Sequence, residues 1–121
     1  MIEHVVVFTA LAAGMNLWKS LKGEEPNAYR GVLLLLAVVA FLFSPAKALF
    51  GLILGLAMKG RFFDGGDVAY VIALSAVSPS FLVTVALTLV IAMIRAGLEK
   101  KTGKAVPLGP LFLLAEVMVV W

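Results

Sequence analysis

The chain has 121 residues, 63% of them hydrophobic and 14% charged, with a mean hydropathy of +1.10. An average soluble domain is about 45–50% apolar and about 25% charged, and a small soluble fold buries too little surface to hide such an excess; a soluble globular domain, a disordered chain, a coiled coil and a nucleic-acid module are all excluded. The net charge of +3 reads as basic loops kept on one side of a membrane, and with no cysteine and the single His4 there is no disulfide framework, no thiolate chemistry and no metal site built from Cys or clustered His.

Four apolar blocks follow along the chain. The first, residues 5–18, starts behind Glu3 with no basic segment ahead of it, so no cleavable signal peptide is expected. His4 reads as an interface residue. The segment 19–30 follows, with Lys19, Lys22 and Arg30 and with Glu24 and Glu25 as solvated loop charges. The second and third blocks, 31–58 and 68–94, would be about 42 and 40 Å long as single helices, beyond a hydrocarbon core of about 30 Å. Each carries a Ser-Pro pair near its middle, Ser44-Pro45 and Ser78-Pro79. Proline removes a donor and disfavours helix at the residue before it, so each block is one kinked helix or a hairpin of two short helices. Between them runs Phe62-Phe63-Asp64-Gly65-Gly66-Asp67. The last block, 105–121, contains Glu116 and ends at Trp121. Phe62, Phe63 and Trp121 fit interfacial anchoring.

Loop charge decides between kink and hairpin. With six spans, the segments 19–30, 59–67 and 95–104 share one side and carry nine of the ten Lys and Arg residues, leaving Lys47 alone on the other. With four spans the split falls to seven against two, and Lys47 lies in mid-membrane, at about 2.5–3.5 kcal/mol on insertion scales. The expectation is therefore an all-α polytopic membrane protein: a single domain over 1–121 of six short helices, about 13–18 residues each. Both termini face outside and the basic loops face the cytoplasm. The bilayer is the one partner this reading requires, and it leaves a homo-oligomer open.

Few polar residues remain inside the spans. Asn16 lies near the cytoplasmic end of the first helix. Asp64 and Asp67 open the fourth. For Asp67 two readings stand: a helix N-cap favoured by the macrodipole, or a carboxylate that the glycines Gly65 and Gly66 leave open to the backbone of a bound peptide. Glu116 is either paired inside the bundle or close to the outer surface, and the outward run of the sixth helix favours the surface. Ser75, Ser80, Thr84 and Thr88 read as helix-packing residues whose hydroxyls bond carbonyls of their own helices.

The run Gly65-Gly66-Asp67-Val68, continuing to Ala73-Leu74-Ser75, resembles the Gly-x-Gly-Asp segment of type IV prepilin peptidases. These are intramembrane-type aspartic proteases related in mechanism to presenilin and to archaeal preflagellin peptidase. Ala105-Val106-Pro107-Leu108-Gly109-Pro110 resembles the family's Ile-Pro-Phe-Gly-Pro segment, and Pro26-Asn27 its Ile-Pro-Asn. Order, spacing and a six-helix frame agree over nearly the whole chain.

The resemblance implies a membrane aspartic peptidase that removes the leader of prepilin-like protein substrates at the cytoplasmic face, without metal or cofactor. Asp67 would be one member of its catalytic pair. Gly65, Gly66, Asp64, Pro107, Gly109 and Pro110 would lie near the substrate. Asn16 stands where the family has the aspartate of the first helix; Asp64 replaces the family's first glycine, and Ala69 a lysine. Three explanations follow. Asn16 is an introduced inactivating change, or it is natural to a non-proteolytic relative, or Asp64 supplies the second carboxylate. The absence of cysteine and of a long loop makes methyltransferase activity doubtful and favours the minimal archaeal type. Readings of other classes are a non-catalytic membrane scaffold or assembly partner on the same fold, and an ion transporter or channel using Asp67 and Glu116.

Overall fold

The computed structural model describes residues 2–23, 27–61, 63, 65–104 and 106–120. Glu24, Glu25, Pro26, Phe62, Asp64, Ala105 and Trp121, singled out above, lie outside the described residues. Six helices make up the fold: α1 (Ile2–Lys22), α2 (Asn27–Phe43), α3 (Pro45–Met58), α4 (Gly65–Val77), α5 (Phe81–Thr102) and α6 (Gly109–Val120). There is no strand among the described residues, only an isolated bridge between Lys59 and Phe63.

Both long apolar blocks divide at their Ser-Pro pairs. Ser44 leaves helical geometry, and Pro45 takes the first position of α3, where a missing N–H is no loss. At the other break the Ser78 hydroxyl donates to the Leu74 carbonyl at 2.7 Å. Beyond Pro79, Ser80 caps α5 by accepting from the Val83 N–H at 3.3 Å.

Residue pairings give the helix directions. Lys47 lies against Ser75 and Ser78, Gly51 against Ile72, and Gly55 against Val68, so α3 and α4 are antiparallel. Thr9 bonds Glu116, and Ala13 meets Gly109, so α1 and α6 are antiparallel too. Arg95 reaches back to Asp67, closing α4 and α5 as a hairpin. Tyr29, at the start of α2, shares a cleft with Asp67 at the start of α4, so α2 and α3 also form a hairpin. One end of the bundle gathers the end of α1, the starts of α2 and α4, the end of α5 and the segment before α6. The opposite end carries both Ser-Pro turns and Lys47, whose ammonium donates to the Ser78 carbonyl at 2.8 Å.

Helix α4 is the core of the bundle. Asp67, Val68 and every residue from Tyr70 to Val77 are buried, and α4 packs against all five other helices, as expected of a helix apolar on every side. Ala48, Gly51 and Gly55 present the small-residue face of α3 to it, which lets two backbones approach closely. The outer faces of the other helices expose large apolar side chains, including Leu11, Leu34, Ile53, Leu82, Met93 and Leu114. Among the described residues, α5 alone is both long and apolar enough to cross a membrane by itself; α2, α3, α4 and α6 are shorter apolar helices.

Three expectations need correction. First, α1 and α5 run past their apolar blocks, to 21 and 22 residues, while α6 has 12. Lys19, Lys22, Lys100 and Lys101 therefore ride on final helical turns, where cations favour the macrodipole and a helix has no reason to stop at a polarity boundary. Second, Phe63 is buried, edge-on to Phe112 with ring centroids 5.8 Å apart, rather than an exposed anchor. Third, Glu116 is fully buried and accepts from the Thr9 hydroxyl at 3.2 Å, so it is paired inside the bundle and not near the surface. It lies on the face of α6 that packs on α1, which outweighs its proximity to the chain end. His4 is exposed.

Candidate functional site

The five chain segments gathered at one end of the bundle surround an open cleft of about 660 Å³. Asn16, Lys19 and Ser20 come from α1, Tyr29 and Arg30 from α2, Gly65, Gly66 and Asp67 from α4, and Arg95 from α5. Val106, Pro107 and Leu108 complete the wall.

Asp67 is the third residue of α4, inside its first turn and one turn too late to be its cap. The position before the helix belongs to residue 64, outside the described residues. The carboxylate is nearly buried, with a side-chain exposure of 6%, and Oδ2 accepts from Arg95 Nη1 at 3.4 Å. Arg95 Nε donates to Glu99 Oε1 at 2.9 Å, and the same oxygen accepts from the Val106 N–H at 3.3 Å. A chain of polar contacts thus joins α4, α5 and the segment leading into α6.

Asn16 is half-buried and lines the cleft with Asp67. The elements that bring them together are α1, which ends at this side of the bundle, and α4, which starts there. Beneath them lies Tyr70, one turn after Asp67 on the same face of α4. Its hydroxyl lies beside the Tyr29 and Asn16 side chains, without a hydrogen bond of acceptable geometry to either.

The remaining expected residues separate into wall and support. Gly65, Gly66 and Pro107 line the cleft. Gly65 has open space beside it: a Cβ there would meet nothing closer than the Lys59 side chain at 3.9 Å. Gly109 does not line the cleft. A Cβ there would stand 2.9 Å from Ala13 Cα and 3.1 Å from the Tyr70 hydroxyl oxygen, so glycine is needed for α6 to start against α1 and α4. Pro110 is exposed and also outside the cleft wall.

Four residues of the site carried no expectation of this kind. Tyr70 could have been found from its three-residue spacing from Asp67, which puts both on one helical face. Tyr29 lies two residues after Asn27. Arg95 and Glu99 show the four-residue spacing of a helical ion pair, but their links to Asp67 and Val106, 28 and 7 residues away in other elements, carry no local signal.

Hydroxyls elsewhere behave in two ways. Thr9 and Thr84 bond carbonyls one turn back in or at their own helices, whereas the Ser75 hydroxyl crosses to the Lys47 carbonyl of α3. Thr88 is buried with no partner for its hydroxyl among the described residues, and no cluster of three or more metal-ligating side chains occurs among them. Comparisons with protein-family models, with curated proteins and with solved structures give no match; the chemistry of the cleft rests on its own geometry.

Proposed function

We propose that the chain is a polytopic membrane protein of six short spans, built on the plan of a Gly-x-Gly-Asp aspartic peptidase, whose cleft opens to the cytoplasm and receives the leader junction of prepilin-like proteins. The membrane reading is supported by the apolar outer faces and by charge. Lys19, Arg30, Lys59 and Arg95 belong to the cleft end, whereas Lys47 lies at the other, the asymmetry expected when basic residues stay in the cytoplasm. Helices of 12–14 residues fall short of a full bilayer, so local thinning and the longer α1 and α5 have to absorb the mismatch.

The observation that carries the functional reading is that Asn16 and Asp67, from separate helices, line one cleft at the same end of the bundle. In a two-aspartate mechanism one carboxylate takes a proton from water while its protonated partner donates to the scissile carbonyl. The Asn16 amide can donate or accept a hydrogen bond but cannot act as that base. The chain as it stands therefore binds its peptide and cleaves it weakly or not at all. General acid–base groups contribute about 10²–10⁴-fold each, so Asn16→Asp is expected to raise cleavage of a prepilin-like substrate in membranes by a factor in that range. Asp67→Asn in the same background should remove the gain. Robust cleavage by the unmodified chain that survives Asp67→Asn would refute the assignment.

A second reading is favoured by one specific contact. Asp67 is held by Arg95, the arrangement of a structural ion pair rather than of two carboxyls sharing a proton. A non-catalytic assembly partner on the same fold would retain peptide binding and show no cleavage after Asn16→Asp.

A further inference from the structure

The outer side of α1 carries a groove that the chemistry of the cleft does not use. Ala10, Leu11, Gly14, Met15 and Trp18 line it, around a volume of about 520 Å³. Their spacings of three and four place them on one face of the helix, away from the buried Thr9, Ala12 and Ala13. Nothing lies within 4 Å of a Cβ added at Gly14, so the missing side chain gives the groove its depth. Lys22 stands one turn beyond Trp18 on the same face and closes the end of the groove. Its ammonium is 5.7 Å from the centre of the Trp18 ring, within the range of a cation–π contact. No carboxylate among the described residues pairs with Lys22, and its three N–H donors are more than one ring face engages.

We propose that this groove holds one acyl chain of an anionic phospholipid of the cytoplasmic leaflet, with the lipid phosphate at Lys22. The proposal rests on the membrane reading above and is independent of peptide binding. Length fits one leaflet. At 1.5 Å per residue, Lys22 to Ala10 spans about 18 Å and Trp18 to Ala10 about 12 Å, against about 15 Å of hydrocarbon per leaflet. A chain whose headgroup meets Lys22 therefore follows the groove to the middle of the bilayer, with the indole at the interface where tryptophan is enriched. Charge selects the occupant. A second copy has the same topology, so pairing through this groove would set two Lys22 ammoniums at one level on facing helices. An apolar helix of another protein brings its own basic residues to the cytoplasmic end. Both repel Lys22, whereas a lipid phosphate is complementary to it.

The test reads lipid contact at Trp18. Trp121→Phe leaves Trp18 as the single tryptophan, and that chain is reconstituted in vesicles of mixed phosphatidylcholine and phosphatidylglycerol. Brominated acyl chains, which quench indole fluorescence on contact, are carried by one lipid or the other. The anionic lipid is expected to be preferred at Trp18 by about fivefold, the effect of one cation near the membrane surface. Lys22→Gln should lower the preference below about twofold. Lys101→Gln should leave it unchanged, because α5 does not touch α1. Gly14→Leu fills the groove without a clash and should lower the preference as Lys22→Gln does, with unfolding at or above the temperature of the parent chain. Equal quenching by the two lipids would overturn the proposal. So would a preference that survives Lys22→Gln, which marks a general surface attraction, or one that survives Gly14→Leu. Quenching that fades as the protein-to-lipid ratio rises would show a second copy on the groove and overturn it too. Quenching by neither lipid at any ratio would overturn the membrane reading as well, which separates the two failures.

Discussion

Gly51→Ala is expected to damage the fold far more than its size suggests. The added Cβ would stand 2.7 Å from Ser75 Cβ, 2.9 Å from Ile72 Cα and 2.9 Å from the Val71 carbonyl oxygen. Two of those atoms are backbone of α4, so no side-chain rotation relieves the clash. Carbon atoms pack best at about 3.5–4.0 Å, so α3 and α4 must separate locally by about 0.7–1 Å. That separation loosens the buried cluster of Ala48, Val68, Ile72 and Ala76 and stretches the hydrogen bond from Ser75 to the Lys47 carbonyl. Overpacking contributes about 1–3 kcal/mol and a weakened hydrogen bond about 1 kcal/mol. The better helix propensity of alanine returns less than about 1 kcal/mol. The net expectation is a loss of about 1–3 kcal/mol, read as the folded fraction against SDS in mild detergent. Gly14→Ala is the control, because nothing lies within 4 Å of a Cβ there, and it should be neutral or slightly stabilising. If the two variants unfold within about 0.5 kcal/mol of each other, the close α3–α4 approach is wrong.

Three further outcomes are expected. Asp67→Asn and Arg95→Met should be non-additive by about 0.5–3 kcal/mol in a double-mutant cycle of unfolding, since each removes the other's partner; strict additivity would dissolve the ion pair. Glu116→Gln keeps an oxygen for the Thr9 hydroxyl and should unfold within about 1 kcal/mol of the unmodified chain, whereas Glu116→Lys, an unpaired buried cation, should fail to accumulate in the membrane; equal yields of the two would contradict a buried Glu116. Cysteines at Lys22 and Thr102 should react with an impermeant reagent only from the cytoplasmic side, and one at Pro79 only from outside. Gly23 is avoided because its φ of 73° disfavours a side chain. Labelling of Lys22→Cys from outside would invert the topology.

The division of the long blocks was legible from two signals together: Pro45 and Pro79 admit either a kink or a break, and the loop charges favour the break. The charge pattern likewise anticipated which segments gather at one end, since Lys19, Arg30 and Arg95, one from each of three elements, line the cleft. Asn16 and Asp67 could be aligned in depth by counting spans. What stayed hidden is the lateral arrangement. Nothing in a uniformly apolar stretch tells which helix is central, so the burial of α4 from Tyr70 to Val77 was not foreseen. Glu116 was misjudged for that reason: depth along the chain suggested the surface, while the packing partner, α1, decided its burial. Arg95 was counted as a loop cation because a helix that outlasts its apolar segment looks, residue by residue, like the start of a loop.

The Asp67–Arg95 contact joins the two helices that are held most differently. α4 is enclosed by five neighbours, while α5 buries little more than Thr84, Thr88, Ile91 and Ala92 and shows Leu82, Leu89, Met93 and Leu98 to its surroundings. In kinetic terms the pair is a latch between a fixed post and a lever. A shift of α4 would disturb every packed layer, so widening of the cleft is expected to be a swing of α5, pivoting where Ser80 caps it and released at the 3.4 Å contact. Amide hydrogen exchange would show it directly. Amides of α4 should exchange only with global unfolding and those of α5 through smaller openings, and Arg95→Met should speed exchange in α5 while leaving α4 unchanged.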